Sequence, residues 1–247
     1  MMISVLKIGG SVLTDVAAYR RAAAFVAHKL ADNASTRFVV VVSARQGETD
    51  ALLHGARDLC PEPSREALDL LWSTGELRSV ALLVLALHSL GVRAAPANVH
   101  QTGLGEADSP ASPGTATFVP LRLLERLANY DVVVVPGFLA RGAGDVVVSL
   151  GRGGSDLTAV LIAAGLGACE CELVKDVDGY YSADPRIDPH ARHLPRIDFT
   201  QSLAMAEAGC EVVQKSALEA ARTYRLPLTI RAMSGRRATR VGHEGAR

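Results

Sequence analysis

Lysine is scarce in this chain: of 26 basic residues only Lys7, Lys29, Lys175 and Lys215 are lysines, the rest being arginine. A chain so biased keeps lysine where a compact, flexible ammonium is needed rather than a planar fork. Cysteine is sparse too. Cys60, Cys169, Cys171 and Cys210 contain no CxxC pair, which argues against a disulfide framework, and Cys169 and Cys171 read as small strand residues on one face rather than metal ligands. Neither sign of charge is in excess, with 26 Lys+Arg against 26 Asp+Glu, so no broad basic footprint for nucleic acid is expected. Long apolar runs are also missing: Val80 to Leu87 is too short to cross a bilayer, and the first residues enter a strand-like segment without a signal-peptide pattern. No membrane partner and a cytoplasmic location are therefore expected. GxxxxGK[ST] and GxGxxG are both absent, which sets aside the Walker A loop and the dinucleotide fingerprint.

What is present suits a globular domain. Hydrophobic residues make up 49% of 247 residues and charged ones 21%, enough apolar material for a core and too little charge for disorder. Short β-branched runs alternate with amphipathic segments, the pattern of a mainly parallel sheet covered by helices, so the fold class is α/β. Strands are expected at 3–8, 38–43, 131–135, 172–175 and 227–232, with a hairpin around Gly142 to Val148. Helices are expected at 16–31, 155–166, 200–208 and 212–224, and a longer one at 64–90 that Ser73-Thr74-Gly75 threatens to break. Residues 101–117 read as a loop or hairpin able to act as a lid, and the Arg-rich end as an edge strand or frayed tail. One domain over 1–247 is expected, divisible only near Val148.

Two glycine clusters carry chemistry. Lys7-Ile8-Gly9-Gly10-Ser11 ends the first strand with an ammonium, two residues without side chains and a hydroxyl, a setting in which backbone N–H groups approach phosphate oxygens. Taken alone it is equally a tight turn. Gly151-Arg152-Gly153-Gly154-Ser155-Asp156 adds an arginine for a carboxylate or phosphate, a hydroxyl and an acid where a helix begins, or simply a turn capped by Ser155 or Asp156. Lys7 opens the first cluster and Lys175 adjoins the Asp176-Val177-Asp178-Gly179 turn.

With these clusters, Val41-Val42-Ser43-Ala44 running to Thr49-Asp50, Ser73-Thr74-Gly75-Glu76, and Asp176 to Tyr180 through Ala183-Asp184-Pro185-Arg186 make the chain resemble the amino acid kinase family, above all the aspartokinase catalytic domain. The resemblance runs from Val5 to about Ile230 in the family's order. It implies a three-layer α/β/α sandwich with a mainly parallel central sheet. It also implies phosphoryl transfer from ATP to a carboxylate, most simply L-aspartate to 4-phospho-L-aspartate.

The same resemblance distributes roles. Lys7 would neutralise the transferring phosphoryl group, Asp156 would orient the lysine, and Gly9, Gly10, Ser11, Gly153 and Gly154 would line the phosphate path. Thr49, Glu76, Arg152 and Ser155 would form the amino acid pocket, Glu76 holding the ammonium and Arg152 the α-carboxylate. Lys175, Asp176, Tyr181, Arg186 and Lys215 would serve the nucleotide. Read as residues alone, Glu76 is a solvated helix residue, Thr49 a helix N-cap, Tyr181 an interfacial tyrosine, and Arg186 and Lys215 solvated cations. Mg2+ is expected with ATP, bound mainly through phosphates and water. The division near Val148 becomes a substrate lobe, about 1–148, and a nucleotide lobe, about 149–247. A homodimer is expected.

Three departures from the aspartokinase pattern stand out. The opening reads KIGGSVL rather than KFGGTS; Lys175 replaces a threonine; and Gly209 to Lys215 reads GCEVVQK where GAKVLHP is usual, so nucleotide contacts are expected to be rearranged. Within 247 residues there is no room for paired regulatory domains, so feedback control in cis is not expected. The rival readings are a same-fold kinase for another amino acid or a small phosphorylated acceptor, and a nucleotide-binding sensor without turnover. Keeping both Lys7 and Asp156 argues against the sensor, which has no transition state to stabilise.

Overall fold

The computed structural model describes residues 2–105, 116–151 and 153–243. Arg152 and most of the expected lid, residues 106–115, lie outside the described residues.

The elements follow one another as β1 (Met2–Ile8), α1 (Val16–Asp32), β2 (Thr36–Val42), α2 (Glu48–Leu59), α3 (Arg65–His88) and β3 (Ala94–Pro96). Then come the one-turn α4 (Val99–Thr102), β4 (Leu104–Gly105), β5 (Thr117–Phe118), α5 (Leu121–Asn129) and β6 (Val132–Pro136). A hairpin of β7 (Leu139–Arg141) and β8 (Val147–Ser149) leads into α6 (Gly154–Gly165) and β9 (Cys171–Lys175). The remainder is β10 (Tyr180–Tyr181), β11 (His193–Leu194), β12 (Arg196–Asp198), α7 (Phe199–Glu207), α8 (Lys215–Thr223), β13 (Leu228–Ala232) and β14 (Ala238–Gly242).

Eight strands form the central sheet in the order β12-β14-β13-β9-β1-β2-β6-β3, every pairing parallel except β13 with β14. Strand alternation divides the valine runs between two cores. Val39, Val41, Val133 and Val135 join α6 and α8 on one face, while Val40, Val42, Val132 and Val134 join α1 and α3 on the other. Each fully buried valine contributes about 1.5–3 kcal/mol, so these runs drive the layering. The result is the expected three-layer α/β/α sandwich with a mainly parallel sheet. Within this sheet the strands before Val148 lie on the β2 side of β1 and those after it on the β9 side, while β5-β4-β7-β8 form a separate four-stranded sheet and β10-β11 a two-stranded one.

Several expectations change. The helix α3 is unbroken: Ser73 and Thr74 turn their hydroxyls back onto the carbonyls of Leu70 and Leu71, and Gly75 brings the helix against Ala44 and Glu48. By length and a mean hydropathy of 1.5 it could cross a membrane, yet it packs on α1 and β6 and buries Asp69, Ser73, Glu76 and Ser79 within the protein. The Arg-rich end supplies β14, which lies inside the sheet between β12 and β13 rather than at its edge. Cys169 is exposed and precedes β9, so only Cys171 is a strand residue.

Candidate active site

The parallel strands β1 and β9 are neighbours, with Lys7 opposite Leu173, so Lys175 lies two residues further along and on the same face as Lys7. Both ammonium groups meet Asp156 in the first turn of α6. Lys7 Nζ is 2.8 Å from its Oδ1 and Lys175 Nζ 2.6 Å from its Oδ2. The Asp156 side chain is 3% exposed, Lys7 7% and Lys175 13%. Burial alone would raise the Asp156 pKa; the two ammonium groups outweigh it and hold the carboxyl down at about 2. Burial, then repulsion from Lys7, lowers the Lys175 pKa against the pull of Asp156.

Glycines open the loops at the ends of β1 and β8. A Cβ on Gly10 would run into the Ala44 carbonyl oxygen, and Gln46 N–H donates to the Gly10 carbonyl at 3.1 Å, so the loops after β1 and β2 are stitched together. Gly9 N–H donates to Val174 O at 3.1 Å, fixing the first loop to the end of β9. Gly153 caps α6 with φ 78°, where a side chain would also strike Gln214. The N-terminus of α6 then provides the positive end of a helix for an anion, although the Gly154 and Asp156 N–H groups themselves donate to Gly151 O and Gly153 O at 3.0 Å. Ser11 Oγ donates to Asp176 Oδ1 at 3.0 Å.

The opposite side is built by α3. Glu76 is 4% exposed, so it is a buried acid and not a solvated helix residue. Its Oε2 has no hydrogen-bond partner among the described residues. Burial raises its pKa to about 8, Glu48 adding to the rise while an Ala44 backbone hydrogen bond and Lys7 oppose it. Thr49 sits inside α2, whose N-cap is Gly47, so it is no cap and is half-buried at the site. Gly137 comes close enough to Ser155 that a Cβ there would be 2.6 Å from the Ser155 Cβ.

A cleft of about 290 Å³ brings together Lys7, Thr49, Glu76, Ser155, Asp156 and Lys175, with Gly153 and Gly154. Gly9, Gly10 and Ser11 lie beside it in the β1–α1 loop. Among the described residues Tyr181, Arg186 and Lys215 do not line it. Tyr181 donates to Asp178 Oδ1 at 2.7 Å, Arg186 pairs with Asp184 at 2.8 Å, and Lys215 pairs with Glu207 at 2.6 Å. Five lining residues fall outside the expected site residues: Ser43, Ala44 and Gly151, which belong to the motifs above, and Phe138 and Gln214. Phe138 has φ 66°, a backbone conformation rare outside glycine, and contacts Trp72 edge-on at 5.9 Å. Gln214 is the N-cap of α8, reachable from the GCEVVQK segment only by noting that the residue before the helix, not Lys215, turns inward.

The amino acid kinase family model matches residues 2–232. The chain belongs to that family. Within it, an aspartokinase of Mycolicibacterium smegmatis is 39% identical over 235 residues, which cover 94% of this chain and 55% of that protein. The crystal structure of an aspartate kinase from Synechocystis matches with a TM-score of 0.87 at 33% identity, covering 100% of this chain and 41% of that one. E. coli aspartokinase III, solved in complex with aspartate and ADP, gives 0.80 at 25% identity, covering 98% of this chain and 65% of that one. This member of the amino acid kinase family thus spans about half the length of the curated relatives it matches.

Among the described residues no three His, Cys, Asp or Glu side chains gather as a metal cage, and both oxygens of Asp156 are engaged by lysines. The side chains therefore do not fit a resident metal. Any Mg2+ would travel on the phosphates of ATP, as that hard ion does elsewhere.

Proposed function

We propose that this chain is an ATP-dependent carboxylate kinase that converts L-aspartate to 4-phospho-L-aspartate. The observation that carries the reading is one cleft with a lysine-bound Asp156 at its phosphate side and, at the other, a buried Glu76 whose Oε2 has no partner among the described residues. A substrate side-chain carboxylate is ionised near neutral pH and needs no general base, so the protein has only to position it and neutralise charge. Lys7 supplies an ammonium for the transferring group, and Asp156 fixes where that ammonium points.

Glu76 receives the substrate ammonium, and the unmade hydrogen bond at Oε2 is what that ammonium would satisfy. Thr49 and Ser155 add hydroxyls to the same cleft, and Arg152 remains assigned to the α-carboxylate by sequence alone. Gly9, Gly10, Gly153 and Gly154 keep backbone close to the phosphates. Asp176, joined to Ser11, is proposed to border the nucleotide, as are Tyr181, Arg186 and Lys215 nearer the surface. The sheet half before Val148 would then carry the acceptor and the half after it the nucleotide. ADP and aspartate in the crystal structure of E. coli aspartokinase III support ATP as donor and aspartate as acceptor.

The four free cysteines and an ATP donor suit the cytoplasm. A homodimer is proposed as well, supported by Val119, Leu121 and Leu124, which leave apolar side chains exposed along one segment. Light scattering across the micromolar range tests it, and a monomer throughout would refute it.

The acceptor is tested by trapping acyl phosphate with hydroxylamine across a panel of amino acids and dicarboxylates. Aspartate should give hydroxamate and succinate, which lacks the ammonium, should give little. Equal use of succinate, or product from a different amino acid alone, would overturn the aspartate assignment.

A further inference from the structure

Lys175 occupies the position where the aspartokinase pattern has a threonine, and the resemblance to that pattern groups it with the nucleotide contacts. Its surroundings point elsewhere. Lys29 is bound to Glu172 at 2.5 Å and Lys215 to Glu207 at 2.6 Å, so of the four lysines only Lys7 and Lys175 line the cleft. These two hold opposite oxygens of one carboxylate, at 2.8 and 2.6 Å. Asp156 acts as a spacer: it keeps the two ammonium groups on a fixed base while leaving each with N–H donors to spare, since an ammonium carries three.

The two ammonium groups thus share the one carboxylate that touches them both, while the charge of Asp176, bonded to Ser11, also reaches Lys175. We propose that Lys175 is a second catalytic cation, acting with Lys7 on the oxygens of the phosphoryl group in transfer rather than on affinity for the nucleotide. This rests on the carboxylate kinase reading above. In the step, an oxygen of the aspartate side-chain carboxylate forms a bond to the γ-phosphorus. The bond from that phosphorus to the β,γ-bridging oxygen breaks, and its electron pair leaves on ADP. No proton moves, and Lys175 stays an ammonium throughout.

Burial and repulsion from Lys7 oppose the charged form of Lys175, against the pull of Asp156 and Asp176. A phosphoryl group held between the two ammonium groups relieves that repulsion, most of all when charge spreads over its equatorial oxygens in the transition state. Lys175 therefore belongs to kcat rather than to the binding of ATP. Arginine, with its planar fork, would not reproduce a point charge on a short reach.

The test compares the unsubstituted chain with Lys175→Met, Lys175→Gln and Lys175→Arg in the hydroxylamine assay, with ADP affinity measured by calorimetry and folding by circular dichroism. The unsubstituted chain must first give ATP-dependent aspartyl hydroxamate; its failure would strike the acceptor reading and leave nothing for Lys175 to assist. With that activity in hand, Met and Gln should each lower kcat by about a hundredfold or more, and Arg should restore little. The KM for ATP and the ADP Kd should stay within about threefold, because ground-state binding is not where the charge acts. A kcat within threefold of the parent, or a loss confined to the KM for ATP, would overturn the proposal. Failure of both Met and Gln variants to fold would overturn it too, by making Lys175 a structural residue.

Discussion

Replacing Asp156 with Asn removes the one negative charge between two buried ammonium groups and leaves the volume unchanged. The pKa of about 2 against an ordinary 3.8 makes ionised Asp156 worth about 2–3 kcal/mol to the fold at neutral pH. Because the folded pKa is the lower one, that stability is present above the unfolded value and is lost as pH falls from 3.8 toward 2. The variant loses this and also strands Lys7 and Lys175 without a counter-ion, so the expected cost at pH 7 is about 3–5 kcal/mol. Urea titration followed by the fluorescence of Trp72, the single tryptophan, should show the midpoint falling by more than about 1 M. Near pH 10 the deficit should shrink, since Lys175 already has a lowered pKa and can shed its proton once Asp156 no longer holds it charged. A variant as stable as the parent at pH 7, or a deficit that does not change with pH, would refute the buried lysine-aspartate-lysine account.

Two further outcomes follow from the same geometry. Lys7→Ala should fold, because Lys175 still pairs with Asp156, yet turn over at least about a hundredfold more slowly in steady-state assays; near-normal turnover would remove Lys7 from the mechanism. Glu76 must be ionised to receive an ammonium, and its pKa of about 8 means that only about one molecule in ten is ready at pH 7. The KM for aspartate should therefore fall as pH rises from 6 toward 8. In Glu76→Gln it should be high and flat, the loss corresponding to about 2–5 kcal/mol and falling on aspartate rather than ATP. An unchanged aspartate dependence in that variant would sink the pairing.

Much of the fold could be read from the sequence where side chains repeat a period. The valine runs of β2 and β6 announce buried strands, and the hairpin of β7 and β8 follows its glycine turn. The edge strand β3 escaped because Ala94-Ala95-Pro96 has no β-branched residue, and the strand exists through pairing with β6. The helix α5 escaped because it is only nine residues long, although Leu123 and Leu127 are spaced to bury one face. Ser73-Thr74-Gly75 looked like a weak point because propensity is local, whereas Gly75 is where α3 needs to approach Ala44. At the site, the glycine clusters with Lys7 and Asp156 were legible as motifs. The burial of Glu76, the left-handed Phe138 and the inward turn of Gln214 are products of tertiary packing, which no spacing encodes.

Isotope transfer decides whether a carboxylate oxygen of aspartate attacks the γ-phosphorus of ATP. Aspartate labelled with 18O in its side-chain carboxylate is incubated with the protein, ATP and hydroxylamine, and the released inorganic phosphate is read by 31P NMR. Hydroxylamine attacks the acyl carbon, so the bridging oxygen departs with phosphorus, and each phosphate should carry one labelled oxygen matched by one hydroxamate formed. Unlabelled phosphate released at the rate of ATP consumption would mean that water, not the carboxylate, takes the phosphoryl group, and would contradict the account.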